Sequence, residues 1–242
     1  MMRKYLLGSL SVLFLLLLWY SFSLAIDNPY VLPNPVSVMI RFFRLLFETE
    51  TYLVIFTTLY RLLIAFTVSV ILGIIFGLLS GNYSFIAEFL KPLVSVLRTL
   101  PVASIIIIIL IIFGNQFSLY LITFLMIFPL IYEATKDGIL NIPEDLNNNI
   151  ALETHHLLVI MIKIQLPLAF SHLKTALFQG LGLGFKVIVM AEFISQTTRG
   201  IGKELYSGSI SINYELVFAW TLIIIILVLI FELLLNKIKK YI

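Results

Sequence analysis

Residues 136–167 read KDGILNIPEDLNNNIALETHHLLVIMIKIQLP, a polar interruption in the second half of a strongly apolar chain. The 242-residue sequence is 61% hydrophobic and 12% charged, a composition typical of a polytopic membrane protein and not of a soluble domain. The interruption lies between two apolar segments and is too long for a hairpin turn. We therefore expect it to form a loop that the protein presents to another molecule.

Several function classes are excluded by what the sequence lacks. It has no cysteine, which excludes a disulfide framework, a thiolate metal site and a cysteine nucleophile. It has no Gly-x4-Gly-Lys-Ser/Thr motif, so it does not bind ATP through a P-loop, and we expect neither a catalytic site nor a cofactor of its own. His155 and His156 are adjacent and would point about 100° apart on a helix, so we expect no metal site. No basic stripe predicts nucleic-acid binding.

Apolar segments set the fold class. A helix needs about 20 apolar residues to cross the hydrocarbon core. Such segments occur at about 5–25, 53–80, 92–113, 117–135, 169–196 and 214–235. The sequence therefore predicts an all-α polytopic membrane protein with about six transmembrane helices. Residues 1–25 also resemble a signal peptide, but their apolar run is longer than the usual signal core and favours an uncleaved first span.

The basic residues predict the orientation, since Lys and Arg are enriched in cytoplasmic loops. With the N-terminus inside, the cytoplasmic side would carry Arg3, Lys4, Lys91, Arg98, Lys136, Lys163, Lys174, Lys237, Lys239 and Lys240. The outer side would carry Arg41, Arg44, Arg199 and Lys203. Both termini and loop 136–167 are therefore predicted to be cytoplasmic.

We divide the chain into residues 1–52, a first transmembrane helix with an external amphipathic segment, and residues 53–242, a core that contains the loop.

The external segment carries its own helix start. Asn34 is suited to the N-cap and Pro35 to the first helical position, ahead of the amphipathic run 36–48. Two placements remain open for this helix: on the outer leaflet, or packed against the rest of the protein.

The centre of loop 136–167 is predicted to be a short amphipathic helix. Pro143, Glu144 and Asp145 suit its first turn, where the helix dipole favours acidic side chains. Apolar residues then recur at helical spacing among polar ones, namely Leu146, Ile150, Leu157, Leu158 and Met161. Pro167 predicts a break before the next span.

The loop resembles that of ATP-binding-cassette (ABC) importer permeases, which has the form E-A-A-x3-G-x9-I-x-L-P. Ile164, Leu166 and Pro167 match its second half. The first half departs from it, with Asn148, Asn149 and Ile150 in place of Glu-Ala-Ala and Thr154 in place of Gly. Ala151 is the nearest counterpart of the Ala-x-x-Leu-Gly found in the sulfonate, nitrate and taurine type.

The resemblance to that type extends in order along the chain. Its members carry similar sequences after the first span, in the second span, around the third span and near the fifth. The matching segments here are Leu32–Pro35, Thr58–Arg61 with Gly73, Gly77 and Gly81, Lys91–Leu93, Leu97–Pro101, Phe113-Gly114, Ala191–Phe193 and Gly200–Gly202.

This resemblance implies the membrane-spanning subunit of a type I ABC importer in a bacterial inner or plasma membrane. The implied solute is small: a sulfonate, nitrate or taurine, or a vitamin or pyrimidine precursor. Its partners would be a second permease copy, separate ATPase subunits that use the ATP, an extracytoplasmic solute-binding protein and membrane lipid. The resemblance places the ATPase-coupling residues at Asn148, Asn149, Ala151, Leu152, Glu153, Thr154, His155, Leu158, Ile164, Leu166 and Pro167. The alternative for this loop is a helix that lies on the inner leaflet.

Ionisable groups inside the spans are a second set of candidates. Arg61 and Glu192 both fall in the predicted outer half of the membrane, and we expect a buried pair that clamps two helices in preference to one that touches solute. Lys186 follows three glycines; close helix packing is the favoured interpretation and contact with an anionic solute the alternative. Gly73, Gly77 and Gly81 have the spacing of a helix-packing face.

Two other function classes make different predictions. An ATP-independent secondary transporter or channel predicts inverted repeats and paired charges at mid-membrane, which the sequence does not display. A membrane-embedded enzyme predicts clustered acids or histidines at one membrane face, and none is apparent.

Overall fold

The computed structural model describes residues 2–143 and 157–241, and within these ranges every regular element is helical. The helices are α1 (Met2–Ile26), α2 (Pro35–Phe47), α3 (Thr49–Asn82), α4 (Ser84–Thr99), α5 (Val102–Phe113), α6 (Asn115–Leu140), α7 (Leu157–Ile160), α8 (Leu166–Ser195), α9 (Ile201–Ile210) and α10 (Tyr214–Tyr241). A five-residue π-helical segment, Met161–Gln165, joins α7 to α8. The predicted all-α fold is confirmed.

Four described helical stretches are long and apolar enough to cross a membrane: Thr49–Asn82, Gln116–Leu140, Leu157–Ser195 and Tyr214–Phe231. They correspond to the second, fourth, fifth and sixth predicted spans. In the first predicted span, α1 has an apolar stretch, Leu10–Ile26, that is shorter than these four.

The third predicted span, 92–113, is not one straight helix. It is divided between α4 and α5, which meet at an angle of 107°. The break falls at Leu100-Pro101, where both residues have extended backbone. The proline ring disfavours helical conformation in the residue before it, which explains why the helix ends there. Counting this bent pair as one span gives up to five among the described residues.

The break predicted at Pro167 is absent, and that prediction was wrong. The chain stays helical from Leu157 to Ser195 and widens into the π segment just before the proline. There the backbone N–H of Leu166 bonds to the carbonyl of Met161, five residues back. Proline has no N–H and its ring crowds the preceding helical turn. A wider turn at this point lets the helix pass through Pro167.

Residues 1–57 and 198–242 form one compact unit. Its helix α2 starts as predicted: the Asn34 side chain accepts a 2.9 Å hydrogen bond from the backbone N–H of Val36. The buried face of α2 carries Val38, Phe42 and Leu45, and the helix packs against α10 and α1. This favours the placement on the protein's own helices. The predicted division at residue 52 stays a prediction.

Residues 58–197 form the second compact unit, which we call the membrane unit, with α6 at its centre. Its core includes the fully or almost fully buried Ile127, Ile131, Leu173 and Ala176 from α6 and α8. The predicted glycine face of α3 packs on α6: a Cβ added at Gly77 would lie 2.5 Å from the Thr135 Cβ. Gly73 and Gly81 approach Ile131 and Ile139 with similar closeness, so the packing role predicted for these glycines is confirmed.

Candidate functional sites in the membrane unit

The coupling residues predicted from the loop fall into two groups. Asn148, Asn149, Ala151, Leu152, Glu153, Thr154 and His155 lie outside the described residues. The other four lie on the continuous helical stretch that returns into the membrane unit. Of these, Leu158 and Pro167 are exposed, and Ile164 and Leu166 are half-buried. Leu158 on α7 is 73% exposed, so an apolar side chain is available beside the undescribed part of the loop.

A pair of amides joins the end of α3 to this returning helix. Asn82 Nδ2 donates to Gln165 Oε1 at 2.8 Å, and Gln165 Nε2 donates to Asn82 Oδ1 at 2.9 Å. Asn82 Nδ2 also donates to the carbonyl of Leu78. Gln165 closes the π segment and is only 2% exposed. The pair therefore holds the base of the loop against the end of α3.

The pairing of Asn82 with Gln165 was not predicted from the sequence, although each residue is a polar amide next to an apolar helix. Gln165 is the variable residue of the Ile164-x-Leu166-Pro167 motif, and Asn82 closes a long apolar span. Both are polar amides at the ends of apolar helices. Their pairing across the fold depends on tertiary structure that the sequence does not display.

The predicted buried ion pair is present between α3 and α8. Arg61 Nη1 lies 2.7 Å from Glu192 Oε1, and the two residues are 6% and 0% exposed. Thr58, one turn before Arg61, donates its hydroxyl to the same carboxylate at 2.9 Å and 3.1 Å. A buried carboxylate with this many donors is well satisfied, which suits a fixed clamp between two helices. Its functional role stays a prediction.

Lys186 is placed away from that clamp. It lies six residues before Glu192 on α8, but it is exposed and makes no ion pair with any residue of the described ranges. Contact between Lys186 and an anionic solute stays a prediction. Of the glycines before it, Gly184 packs tightly on Ile127, whereas a Cβ at Gly182 would meet nothing within 4 Å.

Two open clefts flank α6 at its C-terminal half, which is predicted to face the cytoplasm. One, of about 560 Å³, lies between α4 and α6 and is lined by Lys91, Arg98, Glu133 and Lys136 among others. In it, Arg98 forms an ion pair with Glu133. The other, of about 400 Å³, lies between α6 and α8 and is lined by polar groups from both helices.

The expectation of no metal site is not contradicted by the described residues. In residues 2–143 and 157–241, no group of three or more His, Asp or Glu side chains is arranged to hold a metal ion. His172 lines the cleft between α6 and α8, whereas His155 and His156 lie outside the described ranges.

Comparisons with known proteins agree with this architecture. The chain is 25% identical over 241 residues to the taurine transport system permease protein TauC of Escherichia coli K12, covering 97% of this chain and 86% of that protein. It is 31% identical over 147 residues to the nitrate import permease protein NrtB of Leptolyngbya laminosa, covering 60% and 51%. A chain of the MetNI methionine ABC transporter, solved in inward-facing conformations, shares the fold with a TM-score of 0.63 at 17% identity, covering 80% and 98%.

The family described as binding-protein-dependent transport system inner membrane component matches residues 69–242. That range contains most of the membrane unit, including both partners of the amide pair and the cleft between α6 and α8. The match confirms the resemblance to importer permeases and argues against an ATP-independent transporter or a membrane enzyme. The chain belongs to this family and is a membrane-spanning permease subunit of an ABC importer.

Proposed function

We propose that this permease carries a small solute with an oxyanion group, of the sulfonate or nitrate class, into the cell. The family match over residues 69–242 is the observation that carries the transport function. The solute class is supported by the names of two relatives, one a taurine and the other a nitrate permease. Taurine carries a sulfonate, and both solutes therefore present a compact group of negatively charged oxygens. A vitamin or pyrimidine precursor remains the second solute class.

The energy would come from separate ATPase subunits, since the sequence has no P-loop motif. We propose that loop 136–167 binds the ATPase and that Leu158 belongs to the contact surface. Exposed apolar side chains of this kind often anchor a helix in a partner's groove. An extracytoplasmic binding protein would deliver the solute, and closure of the ATPase dimer would move the loop and rearrange the spans.

A second copy of the chain would complete the transporter. We propose a two-fold symmetric homodimer with one loop for each ATPase subunit, because closed two-fold assemblies are the commonest arrangement for identical subunits. The cleft between α6 and α8 is open on one side, where a second copy could complete the wall of a transport path. The path would therefore lie between the two copies.

Reconstitution tests this function directly. The permease is purified with its ATPase, placed in liposomes that contain ATP, and supplied outside with the binding protein and labelled taurine or nitrate. We expect uptake that requires both ATP and the binding protein. A matched variant in which residues 148–158 are replaced by a Gly/Ser linker should lose the ATPase during purification. Uptake that proceeds without ATP, or ATPase retention by the linker variant, would contradict the proposal.

A further inference from the structure

The exposed side of α8 is polar along most of its length. Between residues 171 and 190 its exposed side chains are Ser171, His172, Thr175, Gln179, Leu183, Lys186 and Met190. At about 100° per residue, Ser171, Thr175, Gln179 and Lys186 fall within an arc of about 80°. We call these four residues the polar stripe. Gly182, which has open space around it, falls in the same arc.

The polar stripe is long on the scale of the bilayer. It rises about 22 Å from Ser171 to Lys186 at about 1.5 Å per residue. The hydrocarbon core is about 30 Å thick. The stripe belongs to a helical stretch that is long and apolar enough to cross that core. With the membrane span of this helix predicted at about 169–196, its polar groups follow the helix through most of the membrane.

Exposed side chains on neighbouring helices of the same unit are different. Leu63, Val68, Ile71 and Ile75 are exposed on α3, and Ile107, Ile108, Ile111 and Ile112 on α5. These apolar surfaces suit lipid. Polar and charged groups inside a membrane are costly in lipid and normally face a water-filled cavity or protein. Contact between the polar stripe and lipid would therefore be unfavourable.

The inner part of the stripe already borders an open space. Ser171, Thr175 and Gln179 line the cleft of about 400 Å³ between α6 and α8, together with Glu133 and Asp137 of α6. This cleft is open on the side away from α6 and α8. Water can fill it inside the hydrocarbon core only if another polypeptide closes the other side, and the same face of a second copy gives a symmetric closure.

The charges around the stripe favour anions. Glu133 is paired with Arg98, and Asp137 lies 4.0 Å from Lys136, so each acid at the inner end has a basic neighbour. Lys186 has no such counter-ion among the described residues. A cation in a narrow path raises the local concentration of anions and their rate of entry.

We infer that the polar stripe of α8 lines a water-filled path shared with a second copy of the chain, and that Lys186 selects anionic solutes in it. This inference rests on the proposed function. It assigns specificity to four side chains in the permease: Ser171, Thr175 and Gln179 supply hydroxyl and amide groups along the path. Lys186 supplies the charge.

Cysteine reactivity tests the path, and the chain is suited to it because it has no cysteine. The variants are Ser171→Cys, Thr175→Cys and Gln179→Cys in the purified permease–ATPase complex. The matched control is Ile71→Cys, at an apolar position of α3 that is 52% exposed. Each is treated with two methanethiosulfonate reagents of similar size, one negatively and one positively charged, because these charged probes reach thiols through water and not through lipid.

We expect the three stripe cysteines to react and the Ile71→Cys control to resist both reagents. Each rate is divided by the rate of the same reagent with a small free thiol, because the thiolate itself favours the positive reagent. On this scale Gln179→Cys should favour the negative reagent about threefold to tenfold. Adding Lys186→Gln should bring the two normalised rates close together. Stripe cysteines that resist like the control would overturn the path, and a rate ratio unchanged by Lys186→Gln would overturn the role of Lys186. Reaction rates are measured without solute or ATP. A failure of this inference can therefore be distinguished from a failure of the proposed function, which ATP-driven uptake tests.

Discussion

Asn82 and Gln165 exchange two hydrogen bonds through their side-chain amides and thereby fasten the end of α3 to the π segment that precedes α8. The pair is 83 residues apart in sequence. Because Pro167 lies two residues after Gln165, the helix near this point already lacks one backbone donor. A loop that is moved by an ATPase would transmit its displacement to α3 through this contact.

Asn82→Leu should lower the free energy of unfolding by about 1–3 kcal/mol, because it leaves the buried Gln165 amide without its partner. The double variant Asn82→Leu/Gln165→Leu should recover most of that loss, since replacing both polar groups by apolar ones is nearly neutral. Thermal unfolding in detergent measures the stabilities.

The number of solute molecules transported per ATP hydrolysed shows whether the amide pair transmits the movement of the loop or only stabilises the fold. We expect this ratio to fall in both the single and the double variant, even where stability has recovered. A double variant with normal stability and a normal ratio would show that the amide pair contributes only to folding.

The buried ion pair gives a second prediction. Arg61→Leu or Glu192→Leu alone should cost about 3–5 kcal/mol of unfolding free energy, because each leaves an unpaired charge in the core. Arg61→Leu/Glu192→Leu together should cost much less than the sum. The matched control is Glu50→Ala, which removes an exposed ion pair with Arg199 and should cost less than about 1 kcal/mol. Additive losses in the double variant would count against a coupled pair.

The features that follow from the sequence are those set by local or periodic patterns. The Asn34-Pro35 helix start, the glycine face of α3 and the apolar spans are all of this kind. The pairing of Arg61 with Glu192 followed from the high cost of an unpaired charge in a membrane. Each of these features depends only on the local sequence and on whether the surrounding medium is lipid or water.

The rest depends on tertiary contacts. The π segment before Pro167 is one of two ways to accommodate a proline, and a helix break is the other. Hydropathy alone did not separate α4 from α5, although the Leu100-Pro101 step carried the signal. The orientation of Lys186 toward an open side of α8 required the positions of α3 and α6, which cover the other faces of that helix.

Leu158 offers a test of the docking surface. Leu158→Asp places a charge on an apolar side chain that is 73% exposed, and we expect the amount of ATPase that copurifies with the permease to fall at least about tenfold. Leu93→Asp is the matched control, since Leu93 is a 52% exposed leucine on α4, outside the loop. Copurification that survives Leu158→Asp would remove Leu158 from the contact surface.

Substitution by alanine should change the stability of the protein in opposite directions at two glycines. Gly77→Ala should destabilise the protein by about 1–3 kcal/mol, because the new Cβ would lie 2.5 Å from the Thr135 Cβ and 2.9 Å from the Tyr132 carbonyl oxygen. Gly182→Ala meets nothing within 4 Å. It should stabilise the helix by up to about 1 kcal/mol, since alanine has the higher helix propensity. Thermal unfolding measures the stability of the two variants. A Gly77→Ala variant as stable as the unchanged protein would show that α3 and α6 can move apart without loss of stability.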